Sequence, residues 1–342
     1  MTAPNTDNIS NTENTLNTDR TQLYYVQGIV LMIITAFIWA STFVAIKEIV
    51  SSVSPTIQVA IRFTLGAMAF AIFARDLNIR LVRDGIIIGL FMFCSVTTET
   101  IGLQTLQANQ ATFIYGLTVS FVTLFELVFR RRISVISLLA AVIAVTGIVI
   151  MGWDNGPPPI GEYWMFLCAF FSAGFMIALE IIGQDHPPLP FTMIQLSTIA
   201  VLSWLWAAPE LIGNLEIINQ TLRDFTNLSF LLYLGIIGTA VVIWIQTMAL
   251  RRITAFDAVV IQALEPIFGA ILAFLFLGET FGTNGFIGAG MVLVAMFMAL
   301  SQKKAQQSSE AGLQPGEDHS PDSSGELNSR AIEGQSIELS PK

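Results

Sequence analysis

Three ionisable side chains interrupt long apolar runs of this sequence, and they are its strongest candidates for chemistry. Arg62, Glu99 and Glu265 each lie well inside a run of mostly apolar residues. An ionisable side chain at the centre of a lipid bilayer costs about 2.5 kcal/mol or more, so each one needs a partner or a function. A carboxylate in such a place can bind a cationic group or a proton, and an arginine can bind a carboxylate.

Each of these candidates also has a purely structural explanation. Glu265 precedes Pro266, which removes a backbone hydrogen bond, so the pair could be a packing kink whose carboxyl group is satisfied by a neighbouring donor. Arg62 and Glu99 lie at similar depths on helices of opposite direction, and they could form a buried pair that only sets helix register. The sequence alone leaves binding and packing open for all three.

A second group of candidates consists of uncharged side chains with polar tips in otherwise apolar runs. Side chains of this kind more often face lipid or pack in a core than contact a ligand. Together with the charged groups, the set that we expect to bind substrate is Trp39, Arg62, Glu99, Tyr115, Trp244, Gln246, Gln262 and Glu265. Within this set Glu265 and Glu99 are the candidates for carrying a coupling proton.

The elements that must position these residues are membrane-spanning helices. Apolar residues make up 54% of the chain and charged residues only 12%, with a mean hydropathy of +0.67. Because one span needs roughly 20 apolar residues, the pattern predicts an all-α membrane protein of ten transmembrane helices. The predicted spans are Gly28 to Val50, Pro55 to Phe73, Gly85 to Leu106, Asn109 to Phe129, Ile133 to Trp153, Tyr163 to Gly183, Phe191 to Ile212, Leu228 to Leu250, Phe256 to Gly278 and Phe281 to Ser301.

Basic residues indicate how these helices cross the membrane. They cluster in alternate connections, at Arg75, Arg80 and Arg83, Arg130 to Arg132, Arg251 and Arg252, and Lys303 and Lys304. Cytoplasmic loops carry an excess of lysine and arginine. The pattern therefore predicts a multi-pass protein of the cell (inner) membrane with both termini in the cytoplasm.

The two halves of the chain resemble each other. Ala36 to Trp39 aligns with Ala169 to Ser172, and Ala111 to Phe121 aligns with Ala258 to Phe268. Because each half contains five predicted spans, an odd number, the second half must enter the membrane with reversed polarity. The sequence therefore predicts two inverted five-helix repeats, an architecture found in alternating-access carriers, although chance similarity between apolar helices could also align them.

Several motifs resemble those of one family. Ile261 to Ala270, which contains Glu265-Pro266, is followed by Gly278-Glu279-Thr280, and this stretch resembles the penultimate helix and turn of EamA-type members of the drug/metabolite transporter superfamily. Trp39 to Lys47 is similar to the first-helix motif of that family. The first half departs from the pattern, since Thr118-Val119 stands where the second half has Glu265-Pro266.

The resemblance implies a ten-helix fold and export of small organic solutes by secondary transport. It divides the chain into an EamA-like repeat at residues 27–153, a connecting loop at 154–161 and a second EamA-like repeat at 162–301. The polar segments 1–26 and 302–342 are predicted to be disordered cytoplasmic tails. Amino-acid-like and drug-like solutes both belong to the range that the resemblance implies.

The sequence lacks the motifs that several other functions require. The chain has two histidines, His186 and His319, both outside the predicted spans, and no zinc-protease, nucleophile-elbow or phosphate-loop motif, so we expect no enzyme, metal or cofactor. No basic tract supports nucleic-acid binding. The expected partners are a small-molecule substrate, membrane lipid and a proton. The glycines Gly285, Gly288 and Gly290 could allow a homodimer, and a non-transporting receptor or scaffold is the alternative function.

Overall fold

A computed structural model describes residues 6–73, 77–130, 135–152, 160–213, 216–250, 252–253 and 255–311, and its regular structure in these ranges is entirely helical. This confirms the expected all-α class. The helices are α1 (Thr6–Ile49), α2 (Pro55–Phe70), α3 (Ile79–Thr105), α4 (Ala108–Tyr115), α5 (Leu117–Arg130), α6 (Val135–Gly152), α7 (Ile160–Ile182), α8 (Pro188–Gly213), α9 (Glu216–Arg223), α10 (Phe225–Leu232), α11 (Val242–Leu250), α12 (Ala255–Gln262), α13 (Glu265–Leu277) and α14 (Thr283–Ala311). A π-helical segment, Tyr233–Val241, joins α10 to α11.

Six helical segments are long and apolar enough to cross a membrane, and two shorter apolar helices, Leu138–Met151 and Thr283–Met298, accompany them. Large apolar side chains such as Phe276 and Leu205 are 74% and 65% exposed on the outer surface, as expected where lipid surrounds a helix. The chain is therefore a multi-pass membrane protein. The six segments are Gln22–Ile49, Ile79–Thr105, Ile160–Leu179, Pro188–Ile212, Phe225–Leu250 and Val260–Leu277.

The predicted tails and the connecting loop lie partly outside the described residues. Helix α1 begins at Thr6, and α14 includes residues 302–311, so parts of both predicted tails are helical. Residues 305–342 form a unit of their own, and the description covers it to residue 311. Residues 1–5, 312–342 and most of the 154–161 loop are not described, so the expected disorder and the domain boundaries stay predictions.

Helices from the first and second halves of the chain pack against each other throughout the core. Helix α3 packs along α7 and α8, α2 packs against α8 and the π-helical segment, and α1 packs against α11, α12 and α13. Where backbones approach most closely, a side chain does not fit: a Cβ built on Gly147 of α6 would lie 2.8 Å from the carbonyl oxygen of Gly288 in α14. Gly288 therefore packs within the chain.

The fourth and ninth predicted spans are each divided into two helices. Gly116 separates α4 from α5, and a turn at Ala263 and Leu264 separates α12 from α13. Pro266, in the first turn of α13, has no backbone N–H to donate, so it is compatible with a helix start. A Cβ built on Gly116 would lie 3.3 Å from Pro266, so the two interruptions lie side by side.

The Gly278-Glu279 turn, singled out by the sequence, connects the two halves. Gly278 has φ of 64°, the left-handed conformation that glycine adopts freely at a helix end. The Glu279 carboxylate then accepts hydrogen bonds from the backbone N–H groups of Ala108 and Asn109, both at 2.9 Å. Glu279 thus caps the N-terminus of α4, where negative charge is also favoured by the helix dipole.

Candidate functional site

A cavity is lined by residues from both halves of the chain. Its volume is about 640 Å³, including the part that is open at its mouth. Helices α1, α2, α3 and α4 of the first half line it together with α7, the π-helical segment, α11 and α13 of the second half. Both halves of the chain therefore contribute to one cavity.

Five of the eight residues predicted from the sequence line this cavity: Trp39, Arg62, Glu99, Tyr115 and Glu265. They lie on five different helices, and the tertiary structure brings them together. The other three, Trp244, Gln246 and Gln262, are not part of the lining. Ile243 lines the cavity, and since the next residue of a helix is turned by about 100°, Trp244 points elsewhere and is 49% exposed.

Arg62 is the positive charge of the cavity. It is buried, with 6% of its surface exposed, and its guanidinium donates from Nε to the Thr239 hydroxyl at 3.0 Å and from Nη2 to the Gly238 carbonyl at 3.3 Å. The same group lies over the Phe63 ring, 5.2 Å from its centroid, a cation–π contact. All of these contacts are to uncharged groups.

Glu99 and Glu265 are the negative groups. They are 8% and 5% exposed, and Glu99 interacts electrostatically with both Arg62 and Glu265. Among the described residues, neither carboxyl group accepts a hydrogen bond and neither forms an ion pair of 4.0 Å or less with Arg62. The sequence left a direct Arg62–Glu99 ion pair open. In the described structure, Arg62 and Glu99 do not form one.

The helix break positions Glu265. As the first residue of α13 it lies where backbone N–H groups have no intrahelical acceptor, and an acidic residue is favoured there by the helix dipole. The sequence pointed to Pro266 as the cause of a local loosening, and in the structure a two-residue turn at Ala263 and Leu264 precedes α13. Glu265, directly after this turn, lines the cavity.

Hydroxyl groups in the cavity were missed by the sequence analysis. Ser95 of α3 and Ser172 of α7 share a hydrogen bond of 2.6 Å across the two halves, and Thr42 and Thr239 also line the cavity. One signal could have found Ser172: it aligns with Trp39 in the internal repeat, and both residues line the cavity. No group of three His, Cys, Asp or Glu side chains suited to a metal ion occurs in the described ranges.

Comparisons with known proteins agree with this architecture. The model of the EamA-like transporter family matches residues 26–153 and again residues 159–301. An uncharacterized transporter of Archaeoglobus fulgidus is 25% identical over 81% of this chain and 86% of its own length. A WAT1-related chloroplastic protein of Arabidopsis thaliana is 24% identical over 77% of this chain and 66% of its own length.

A solved crystal structure shares the fold. It superposes with a TM-score of 0.54 and 16% sequence identity, over 80% of this chain and 97% of that chain. The two family matches together cover most of the chain, including all of the residues that line the cavity. A helical membrane body, a cavity between two halves and these matches lead to one conclusion: the chain belongs to the EamA-like transporter family and is a membrane transporter.

Proposed function

We propose that this protein is a secondary active transporter that exports small organic metabolites, amino-acid-like or drug-like, by alternating access. The observation that carries the proposal is the cavity between the halves, in which one buried arginine and two buried carboxyl groups lack ionic partners within 4.0 Å among the described residues. Charges kept unpaired inside a membrane protein mark a solute pathway by default.

The proposed architecture is ten spans in two inverted five-helix repeats. Two observations support it: the family model matches the chain twice, and the breaks at Gly116 and at Ala263–Leu264 interrupt corresponding helices of the two halves. Repeats of odd span number are necessarily inverted, and rocking of one repeat against the other would expose the cavity to each side in turn. The alternating basic connections support cytoplasmic termini, and the proposed membrane is the cell (inner) membrane.

The charged residues of the cavity favour a solute that carries a negative group, a positive group or both. Arg62 can bind an anionic group, while Glu99 and Glu265 can bind a cationic group. The apolar part of the solute would contact the aromatic side chains Trp39 and Tyr115. The predicted residues that lie outside this lining, Trp244, Gln246 and Gln262, would reach the solute only in another conformation.

Proton coupling is the proposed energy source. A carboxyl group that faces the cavity can be charged in one conformation and protonated in the other, so that solute and proton exclude each other. Glu265 is the first candidate because it lies at the helix break, and Glu99 is the second because the two interact electrostatically. A homodimer also remains a proposal.

The test of transport is a comparison of solutes released by cells that overproduce this chain and cells that lack it. We expect a small set of metabolites to accumulate in the medium of the first cells only. Those metabolites are then used in proteoliposomes, with and without an imposed proton gradient. If no solute is released by the cells and none is taken up by proteoliposomes, the alternative of a receptor or scaffold on a carrier fold is preferred.

A further inference from the structure

The π-helical segment Tyr233–Val241 has a specific relation to Arg62. A π-helix has a wider turn than an α-helix and is frequent at functional sites, because it displaces backbone groups from their usual partners. Here the Thr239 hydroxyl donates to the Leu234 carbonyl, five residues earlier, at 2.8 Å. With its hydrogen committed in this way, the hydroxyl oxygen is left to accept a hydrogen bond from Arg62 Nε at 3.0 Å.

Close packing holds this segment at a fixed distance from α2. A Cβ built on Gly66 would lie 2.9 Å from the Thr239 methyl group, and one built on Gly235 would lie 2.7 Å from Leu65 and 3.0 Å from the Arg62 carbonyl. Larger residues at these glycines would separate the helices. The position of the guanidinium therefore follows from the backbone packing of two elements and not from the side chain of Arg62 alone.

One edge of the guanidinium remains without a partner. Nε and Nη2 donate to Thr239 and Gly238, whereas Nη1 is buried and has no hydrogen-bond partner among the described residues. Arg62 lines the cavity. Glu99 attracts Arg62 electrostatically but does not form an ion pair with it within 4.0 Å. A buried charged donor without an acceptor is costly unless an acceptor arrives from elsewhere.

We propose that Thr239 and Gly238 are positioning residues that hold Arg62 so that its Nη1 binds a carboxylate group of the transported solute. This inference rests on the proposed function, since it takes the cavity as the solute site. It deepens that proposal by naming the recognised group and by assigning roles to two residues that do not themselves donate to the solute. A fixed donor loses less freedom on binding, which is how a positioning residue raises affinity.

The test is equilibrium binding to the purified full-length protein in lipid nanodiscs. The two probes are 3-phenylpropanoate and 3-phenylpropanamide, which share a phenyl body and differ in the carboxylate and the uncharged amide. We expect the wild-type protein to bind the carboxylate on the order of tenfold more tightly than the amide, the amount that one charge-assisted hydrogen bond contributes. Arg62→Gln should abolish this preference.

Substitutions at Thr239 separate positioning from general packing. Thr239→Val, which keeps the shape but removes the hydroxyl, should lose most of the carboxylate preference, and Thr239→Ser should retain it. In an Arg62→Gln background Thr239→Val should have no further effect, because it acts through Arg62. Thr247→Val is the matched control: the Thr247 hydroxyl donates within α11 to the Ile243 carbonyl at 2.8 Å, and Thr247 lies outside the cavity lining.

The proposal is overturned if the wild-type protein binds the two probes equally or binds neither. It is also overturned if Thr239→Val keeps the full carboxylate preference. If Thr239→Val binds neither probe, the same comparison is made with Thr239→Ala. Alanine also removes the hydroxyl, and its smaller side chain fits beside Gly66 more easily. Binding is measured without transport, so a protein that prefers the carboxylate but moves no solute in proteoliposomes would refute the transport function. The roles of Arg62, Thr239 and Gly238 in binding a carboxylate would still stand.

Discussion

A charged side chain inside a bilayer needs compensation, and Arg62, Glu99 and Glu265 receive little of it from the described protein groups. Arg62 has two neutral acceptors, and the two carboxyl groups have electrostatic neighbours without hydrogen-bond donors among the described residues. A sealed packing network would satisfy such groups. Their incomplete pairing is what distinguishes a binding cavity from a buried ion pair that sets helix register.

At the residue scale, the first prediction concerns Glu265→Gln. The amide keeps the shape of the side chain but cannot take up a proton, so solute transport in proteoliposomes should no longer respond to an imposed proton gradient. Glu48→Gln is the control, because Glu48 is exposed at the end of α1. Transport that still follows the gradient in Glu265→Gln, at all pH values measured, would show that another group carries the proton.

At the element scale, irregular helical segments carry polar groups of the cavity. Glu265 is the first residue of α13, directly after the turn at Ala263 and Leu264, and it lines the cavity. The π-helical segment carries the acceptors of Arg62. Interrupted helices of this kind are tolerated in membranes where protein or a cavity, and not lipid, surrounds them.

The capping of α4 by Glu279 gives a second prediction. Glu279→Ala leaves the N–H groups of Ala108 and Asn109 without their acceptor, so we expect a loss of about 1 to 2 kcal/mol of stability, typical of a lost helix cap. Thermal unfolding in detergent measures this effect. Thr280→Ala, an exposed neighbour, should leave the unfolding temperature unchanged. Equal unfolding temperatures for Glu279→Ala and the wild type would mean that water replaces the cap.

Two glycines of α14 give a third prediction. A Cβ at Gly288 would overlap the carbonyl oxygen of Gly147 and lie 2.8 Å from Met151, whereas a Cβ at Gly290 would meet nothing within 4 Å. Gly288→Ala should therefore lower the unfolding temperature, since overpacking costs about 1 to 3 kcal/mol. Gly290→Ala should be neutral or slightly stabilising because alanine favours helix. The prediction is wrong if both variants unfold at the same temperature.

At the scale of the whole molecule, polar contacts join the halves at both ends of α3. Near its start, Asp84 pairs with His186 of the α7–α8 connection at 3.0 Å. Beyond its end, Glu279 of the second half caps α4 of the first half, accepting from the Ala108 and Asn109 N–H groups at 2.9 Å. A helix of 27 residues separates the two regions by roughly 40 Å. Under the proposed alternating access, one of these regions would open while the other stays closed.

The orientation of the molecule gives a fourth prediction. In a variant without Cys94 and Cys168, a cysteine at Gln220 in α9 should react with a membrane-impermeant thiol reagent added outside cells. A cysteine at Asp185, next to His186, should react only after the membrane is opened. Both positions are exposed in the structure. The reverse pattern of labelling would place both termini outside the cytoplasm and contradict the positive-inside assignment.

The sequence by itself determined the helical membrane class, the family resemblance and three of the charged or polar groups that matter most. These follow from local information: apolar length predicts a span, and an ionisable residue within it predicts a functional group. Glu265-Pro266 also signalled a disturbance of the ninth span. Each of these inferences needs only neighbouring residues, so each can be made along the chain without knowing the packing.

Only the tertiary structure decided which polar groups share one cavity. Trp244 and Ile243 are adjacent in sequence, yet one is outside the lining and the other inside, because a rotation of about 100° per residue on a packed helix separates them. Ser95 and Ser172 are 77 residues apart and form a hydrogen bond. The Arg62 Nη1, which has no hydrogen-bond partner among the described residues, likewise depends on the packing of α2 against the π-helical segment. Hydropathy along the sequence contains no information about how two distant helices pack.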